Sequence, residues 1–132
     1  MATWKQVRDY VQSNYNASYD EEGDVLGIEF TFTDGRSQKV LLTTYTGQKD
    51  DTTWLHIVSF IGKVGRNDIG ELLAEAGNKL MGGIATISGE CVYRLTVRLE
   101  GFVLDSYFDT IIQTIAITAD AMEEAFVGDD DN

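Results

Sequence analysis

Residues 54–61 constrain this sequence most, because they predict a β-strand that is apolar on both of its faces. One alternating face consists of Trp54, His56, Val58 and Phe60, and the other consists of Leu55, Ile57, Ser59 and Ile61. Such a strand needs cover on both sides, since water would otherwise contact one of the two apolar faces. We therefore expect a core on one side and a second layer or a partner on the other.

The chain of 132 residues fits one domain, predicted over residues 1–127, followed by an acidic disordered tail at 128–132. The net charge of −12 disfavours nucleic acids and anionic membranes as partners, because both repel an acidic surface. This acidity either keeps the protein soluble or attracts basic partners. The sequence shows no apolar run long enough to cross a bilayer and no secretory signal, so a cytoplasmic location is expected.

The first third of the chain predicts a helix followed by strands. A helix over residues 3–14 begins at Thr3, which forms a capping box with Gln6. Residues 16–24 have the composition of a polar, acidic loop. Strands are predicted over 25–33 and 37–45, together with the strand at 54–61. Asp34 and Gly35, between the first two strands, indicate a type I′ hairpin turn.

The second half predicts a short helix, two strands and a long helix. The short helix covers residues 68–80, with Asp68 and Glu71 as an N-terminal capping pair. Strands follow at 84–88 and 91–100, and Asp105 caps a helix over 106–126. The predicted fold class is α+β, a five-stranded antiparallel sheet with helices in the order α-β-β-β-α-β-β-α.

Few residues of this sequence suggest catalysis. His56 is the only histidine and Cys91 is the only cysteine, so neither a zinc site nor an internal disulfide is expected. His56 lies in the middle of a strand, and Cys91 is predicted on the core face, where a thiol packs as a small apolar group. We expect no catalytic residue, no metal and no cofactor. A site built from paired carboxylates is the one enzymatic alternative that the pattern leaves open.

Arg94 and Arg98 share one face of the strand predicted at 91–100, in a chain with ten basic residues. One interpretation is a solvated face, on which Glu29 pairs with one of these arginines across the sheet. The other is contact with an anion or with a carboxylate of a partner. The alternation along the strand leaves the second interpretation open as the alternative to the first.

The order of elements, the small size, the acidity, the amphipathic first helix and the long last helix resemble the type III secretion chaperone-like fold, which includes the YbjN family. The resemblance covers residues 3–127. It implies a non-enzymatic protein that forms homodimers and either binds extended protein segments or has a regulatory role.

These observations together predict a chaperone-like or regulatory protein-binding module that acts as a homodimer. A second subunit would cover either the second sheet face or the helix at 68–80. The candidate partner-binding residues are Tyr10, Tyr45, Arg94 and Arg98. The alternative is a small-ligand sensor, with an anion bound near the two arginines in a pocket between sheet and helices.

Overall fold

The computed structural model describes residues 2–101 and 103–127. Its elements are α1 Trp4–Asn14, β1 Ala17–Asp20, β2 Val25–Thr31, β3 Ser37–Thr46, β4 Thr53–Gly62, α2 Ile69–Ala76, β5 Gly83–Ile87, β6 Glu90–Arg98 and α3 Ser106–Phe126. The acidic tail predicted at 128–132 lies outside the described residues. The buried side chains of strands and helices join into one hydrophobic core.

The strands form one antiparallel sheet in the order β1-β2-β3-β4-β6-β5. The α+β class is confirmed, but the expectation of five strands is wrong, because the sheet has six. The additional strand, β1, lies in the segment that we predicted to be a loop. Pairing with β2 satisfies its backbone groups, and Ala17 and Tyr19 pack against the core. Its composition is polar because Ser18 and Asp20, on the other face, are exposed.

The hairpin between β2 and β3 is present, but its turn differs from the predicted one. A type I′ turn needs positive φ at both central residues, whereas Gly35 has φ 87° and Asp34 is not among the residues with positive φ. The amide of Phe32 donates to Arg36 O, and the amide of Gly35 donates to Phe32 O at 3.0 Å. This is the three-residue loop in which a glycine bulge follows a type I turn.

Helix boundaries follow from local capping, and two of the three predicted helices are confirmed closely. Thr3 and Gln6 form the expected capping box, and the side chain of Asp105 accepts the amide of Tyr107. The helix predicted over 68–80 is shorter, since α2 ends at Ala76 and Gly77 follows. Asp68 occupies its N-cap position without a side-chain hydrogen bond, so the predicted capping pair with Glu71 does not form.

All three helices contribute to the same core, on one side of the sheet. α3 packs across β3, β4 and β6, while α1 contacts β1 and α2 contacts β5. Leu55, Ile57 and Ile61 of β4 are fully buried in this core. The opposite side of the sheet, which we call the open face, has no helix packed on it in the described chain. The predicted two-sided apolar strand therefore has helical cover on one side only.

A partly buried ion-pair group, formed by Arg36, Asp120 and Glu123, fastens the β2–β3 hairpin to α3. Arg36 Nε lies 3.1 Å from Asp120 Oδ1, and its Nη2 lies 3.2 Å from Glu123 Oε1. The side chains are 14%, 13% and 6% exposed, in that order, so water screens these charges weakly. The group links residues more than 80 positions apart in the sequence.

Candidate functional site

The open face carries an apolar patch at its centre, formed by Leu41, Val58, Phe60, Ala85 and Val92. Leu41 pairs with Val58, and Val92 pairs with both Phe60 and Ala85, so the five side chains are neighbours across four strands. None of them belongs to the hydrophobic core. Val92 is fully buried by its neighbours, while the other four are half-buried. The patch is thus a second apolar layer that the helices do not cover.

Three of the four predicted partner-binding residues lie on the open face. Tyr45 is 53% exposed, and its ring meets the ring of His56 edge to face at 6.0 Å. Arg98 is exposed and lies 3.6 Å from Glu100. Arg94 lies further along the same strand, beside Val58. Arg94 thus borders the apolar patch, whereas Tyr45 and Arg98 both lie beside Trp54, four residues along β4 from Val58.

The fourth residue, Tyr10, lies on the helical side of the sheet. Its ring packs edge to face on Phe108, and its hydroxyl donates to Asp109 at 2.9 Å. The hydroxyl of Tyr15 donates to the same carboxylate at 2.5 Å. Burial and the hydrogen bond to Asp109 raise the pKa of Tyr10. Burial and the hydrogen bond that Tyr15 itself donates to Asp109 raise the pKa of Tyr15 to about 12. These contacts join α1 to α3 and occupy the polar end of Tyr10.

Arg94 forms the polar part of a depression on the open face. Its Nη2 donates to Thr96 Oγ1 at 2.8 Å and lies 3.5 Å from His56 Nδ1. The depression has a volume of about 290 Å³, and Val58, Ala85 and Ile87 supply apolar walls. No carboxylate of the described chain lies within ion-pair distance of this half-buried guanidinium. The expectation that Glu29 pairs with one of the two arginines is wrong, because β3 and β4 separate β2 from β6.

His56 lies beside Arg94, and its environment favours the neutral imidazole. Burial lowers the pKa of His56 first, and the positive charge of Arg94 lowers it further. Its Nδ1 lies 2.9 Å from Thr96 Oγ1, and no carboxylate orients the ring in the described chain. Cys91 belongs to the core on the opposite face of the sheet, and burial raises the pKa of its thiol. The two residues therefore do not form a nucleophile–base pair.

A second depression, of about 360 Å³, opens where the ladder between β3 and β4 stops. The paired register begins at Val40 and Ser59, and beyond this pair the side chain of Gln38 connects β3 to β4. Gln38 Nε2 donates to Ser59 Oγ at 2.8 Å and to Phe60 O at 2.6 Å. The sequence analysis missed this site, since only the strand register shows that Gln38 replaces a ladder hydrogen bond.

β5 forms one edge of the sheet. Edge strands usually carry charges or proline, which prevent unwanted strand pairing, and Gly83–Ile87 contains neither. Leu73 and Leu80, which precede this strand, are exposed, and Leu80 is fully so. The opposite edge strand, β1, carries Asp20. Backbone pairing with an extended segment is therefore favoured at β5 over β1.

The described residues contain no group of His, Cys, Asp and Glu side chains arranged to hold a metal ion. Within residues 2–101 and 103–127, no helix combines the length and the apolar character that crossing a bilayer requires. A comparison of the chain with protein-family models and with curated proteins found no match.

Proposed function

We propose that the protein is a non-enzymatic, chaperone-like or regulatory binding module that works as a homodimer joined through the open face. The apolar patch outside the core carries this proposal. Burying it against a second copy would remove apolar surface from water and give Val58 and Phe60 the second layer that their strand lacks. In such a dimer the β5 edge stays accessible, and an extended protein segment would add to it through backbone hydrogen bonds.

The size of the open face suits a symmetric partner. Six strands spaced about 4.8 Å apart, and the seven residues of β4 from Trp54 to Phe60 at about 3.4 Å each, give roughly 500–600 Å² for the open face of each copy. Two copies would then bury on the order of 1,100 Å², which is near the lower end of specific interfaces. Because the same surface is offered by both copies, a two-fold axis satisfies both at once.

Replacing Val58 by Lys should weaken self-association by at least about thirtyfold, since a dimer would bury two added ammonium groups at its centre, each beside Arg94 of its own chain. Sedimentation velocity at concentrations up to about 100 µM tests this. The parental chain should sediment at twice 14.7 kDa, and the variant at 14.7 kDa. The variant should still fold, because Val58 contributes nothing to the hydrophobic core.

Ile117→Lys is the matched control, because Ile117 is an exposed apolar residue on α3, an element of the opposite side. It introduces the same charge and should leave the dimer intact. A parental chain that stays monomeric at every concentration would refute the proposal.

Arg94 supports the alternative function, a sensor of small anions. Its guanidinium has no carboxylate partner in the described chain and lies in the depression described above. The ligand would be a small carboxylate or phosphate held by Arg94 and Thr96. The site lies on the open face, and not in the pocket between sheet and helices that the sequence suggested.

The pKa of His56 distinguishes the two functions. A bound anion would stabilise the imidazolium, so titration with acetate or phosphate should raise this lowered pKa. In Arg94→Gln the pKa should rise without any ligand, because a neighbouring positive charge is removed. NMR titration of the single histidine measures both effects. A pKa that does not respond to saturating anion would dismiss the sensor.

A further inference from the structure

The depression where β3 and β4 separate has a carboxylate at each side and apolar side chains between them. Four neighbouring strands line it, with Glu29 on β2, Leu41 on β3, Phe60 on β4 and Glu90 on β6. Three strand spacings lie between the two glutamates, which amounts to about 14 Å across the strands. The depression thus offers a negative charge at each end and an apolar floor.

Neither of these two carboxylates lies within ion-pair distance of a lysine or arginine in the part of the chain that the structure describes. Lys39 is the cross-strand neighbour of Glu29, but the end of its side chain lies over Gly27. A Cβ placed on Gly27 would be 3.1 Å from Lys39 Cε and 3.9 Å from its Nζ. Glu123, which also lines the depression, is bound to Arg36. The two glutamates at the ends are therefore the charges that attract a cation.

A third acceptor lies between the two glutamates, at the gap that separates β3 from β4. Gln38 is 6% exposed and lines the depression. Its Nε2 donates to Ser59 and Phe60, while its buried Oε1 has no hydrogen-bond partner among the described residues. A buried carbonyl without a donor costs free energy. A donor held in the depression would lie next to this oxygen and reduce that cost.

We infer that this depression binds a linear aliphatic triamine in its protonated form. The terminal ammonium groups pair with Glu29 and Glu90, and the central ammonium donates to Gln38 Oε1. The methylene groups between them lie on the apolar floor formed by Leu41 and Phe60. Such a ligand supplies a donor to each of the three acceptors and an apolar segment to the surface between them. The inference goes beyond the proposed function and needs no second copy of the chain.

Spermidine and 1,8-diaminooctane test this match. Their chains are equally long, but the diamine carries a methylene group where spermidine has its central nitrogen. Spermidine should bind with a Kd below about 1 mM at low ionic strength, and at least about threefold more tightly than the diamine. NMR titration measures both affinities, and spermidine should shift the side-chain amide signals of Gln38. Equal affinities, or Gln38 signals that stay unchanged at saturation, would overturn the inference.

Glu29→Gln and Glu90→Gln should each weaken the binding of spermidine by at least about threefold, because each removes the charge that one terminal ammonium meets. Glu71→Gln and Glu124→Gln are the controls, since they remove the same charge from exposed positions on α2 and α3. They should change the affinity by less than about 1.5-fold. Equal losses in all four variants would show a general attraction of polyamines to an acidic chain and would overturn the site. Association is not the readout, so a chain that binds spermidine in this way and stays monomeric would refute the proposed dimer alone.

Discussion

Replacing Arg36 by Ala should lower the free energy of unfolding by about 3–5 kcal/mol. The substitution leaves the carboxylates of Asp120 and Glu123 in a site where their side chains are 13% and 6% exposed. The two carboxylates would lose the charge of Arg36 between them, repel each other more strongly and have little water to solvate them. The hairpin between β2 and β3 would also lose its attachment to α3. Urea unfolding, followed by tryptophan fluorescence, measures the loss.

Lys5→Ala is the matched control for this prediction. Lys5 and Asp9 also form an ion pair, at 2.8 Å, but their side chains are 75% and 61% exposed. Water screens such a pair, so its loss should change the free energy of unfolding by less than about 0.5 kcal/mol. Equal effects of the two substitutions would show that the burial of the Arg36 group contributes nothing.

Replacing Ile112 by Ala should cost about 2–5 kcal/mol, because the side chain is fully buried where α3 packs on the sheet. The loss combines the transfer of apolar surface with the cavity that remains. Thermal unfolding of the variant measures it. Ile117→Ala, on the exposed side of the same helix, should change stability by no more than about 0.5 kcal/mol. A variant at 112 that melts at the parental temperature would contradict the placement of this helix.

Local signals accounted for the elements that the sequence predicted well. Thr3, Gln6 and Asp105 act through hydrogen bonds within three residues, so the sequence shows the complete interaction. The alternation in β4 likewise predicts two apolar faces without knowledge of its neighbours. The turn at Gly35 was predicted in position and not in type, since both turn types accept a glycine with positive φ.

Non-local pairing accounts for what the prediction missed. The strand β1 is polar along its edge and forms because β2 supplies hydrogen bonds to its backbone. Gln38 has no sequence signal, since its role depends on the place where the ladder between β3 and β4 ends. The candidate site shows the same limit. The sequence placed Arg94 and Arg98 on one strand face, but it did not show that Arg94 borders an apolar patch.

The sequence by itself determined the α+β class, the helix caps and a middle strand that is apolar on both sides, because these depend on residues close together along the chain. Only the tertiary structure decided that all three helices pack on one side of the sheet and leave Val58 and Phe60 on the other. It also decided that Glu29 and Arg94 lie on opposite sides of the patch. Strand order brings distant residues together, and no local pattern encodes that order.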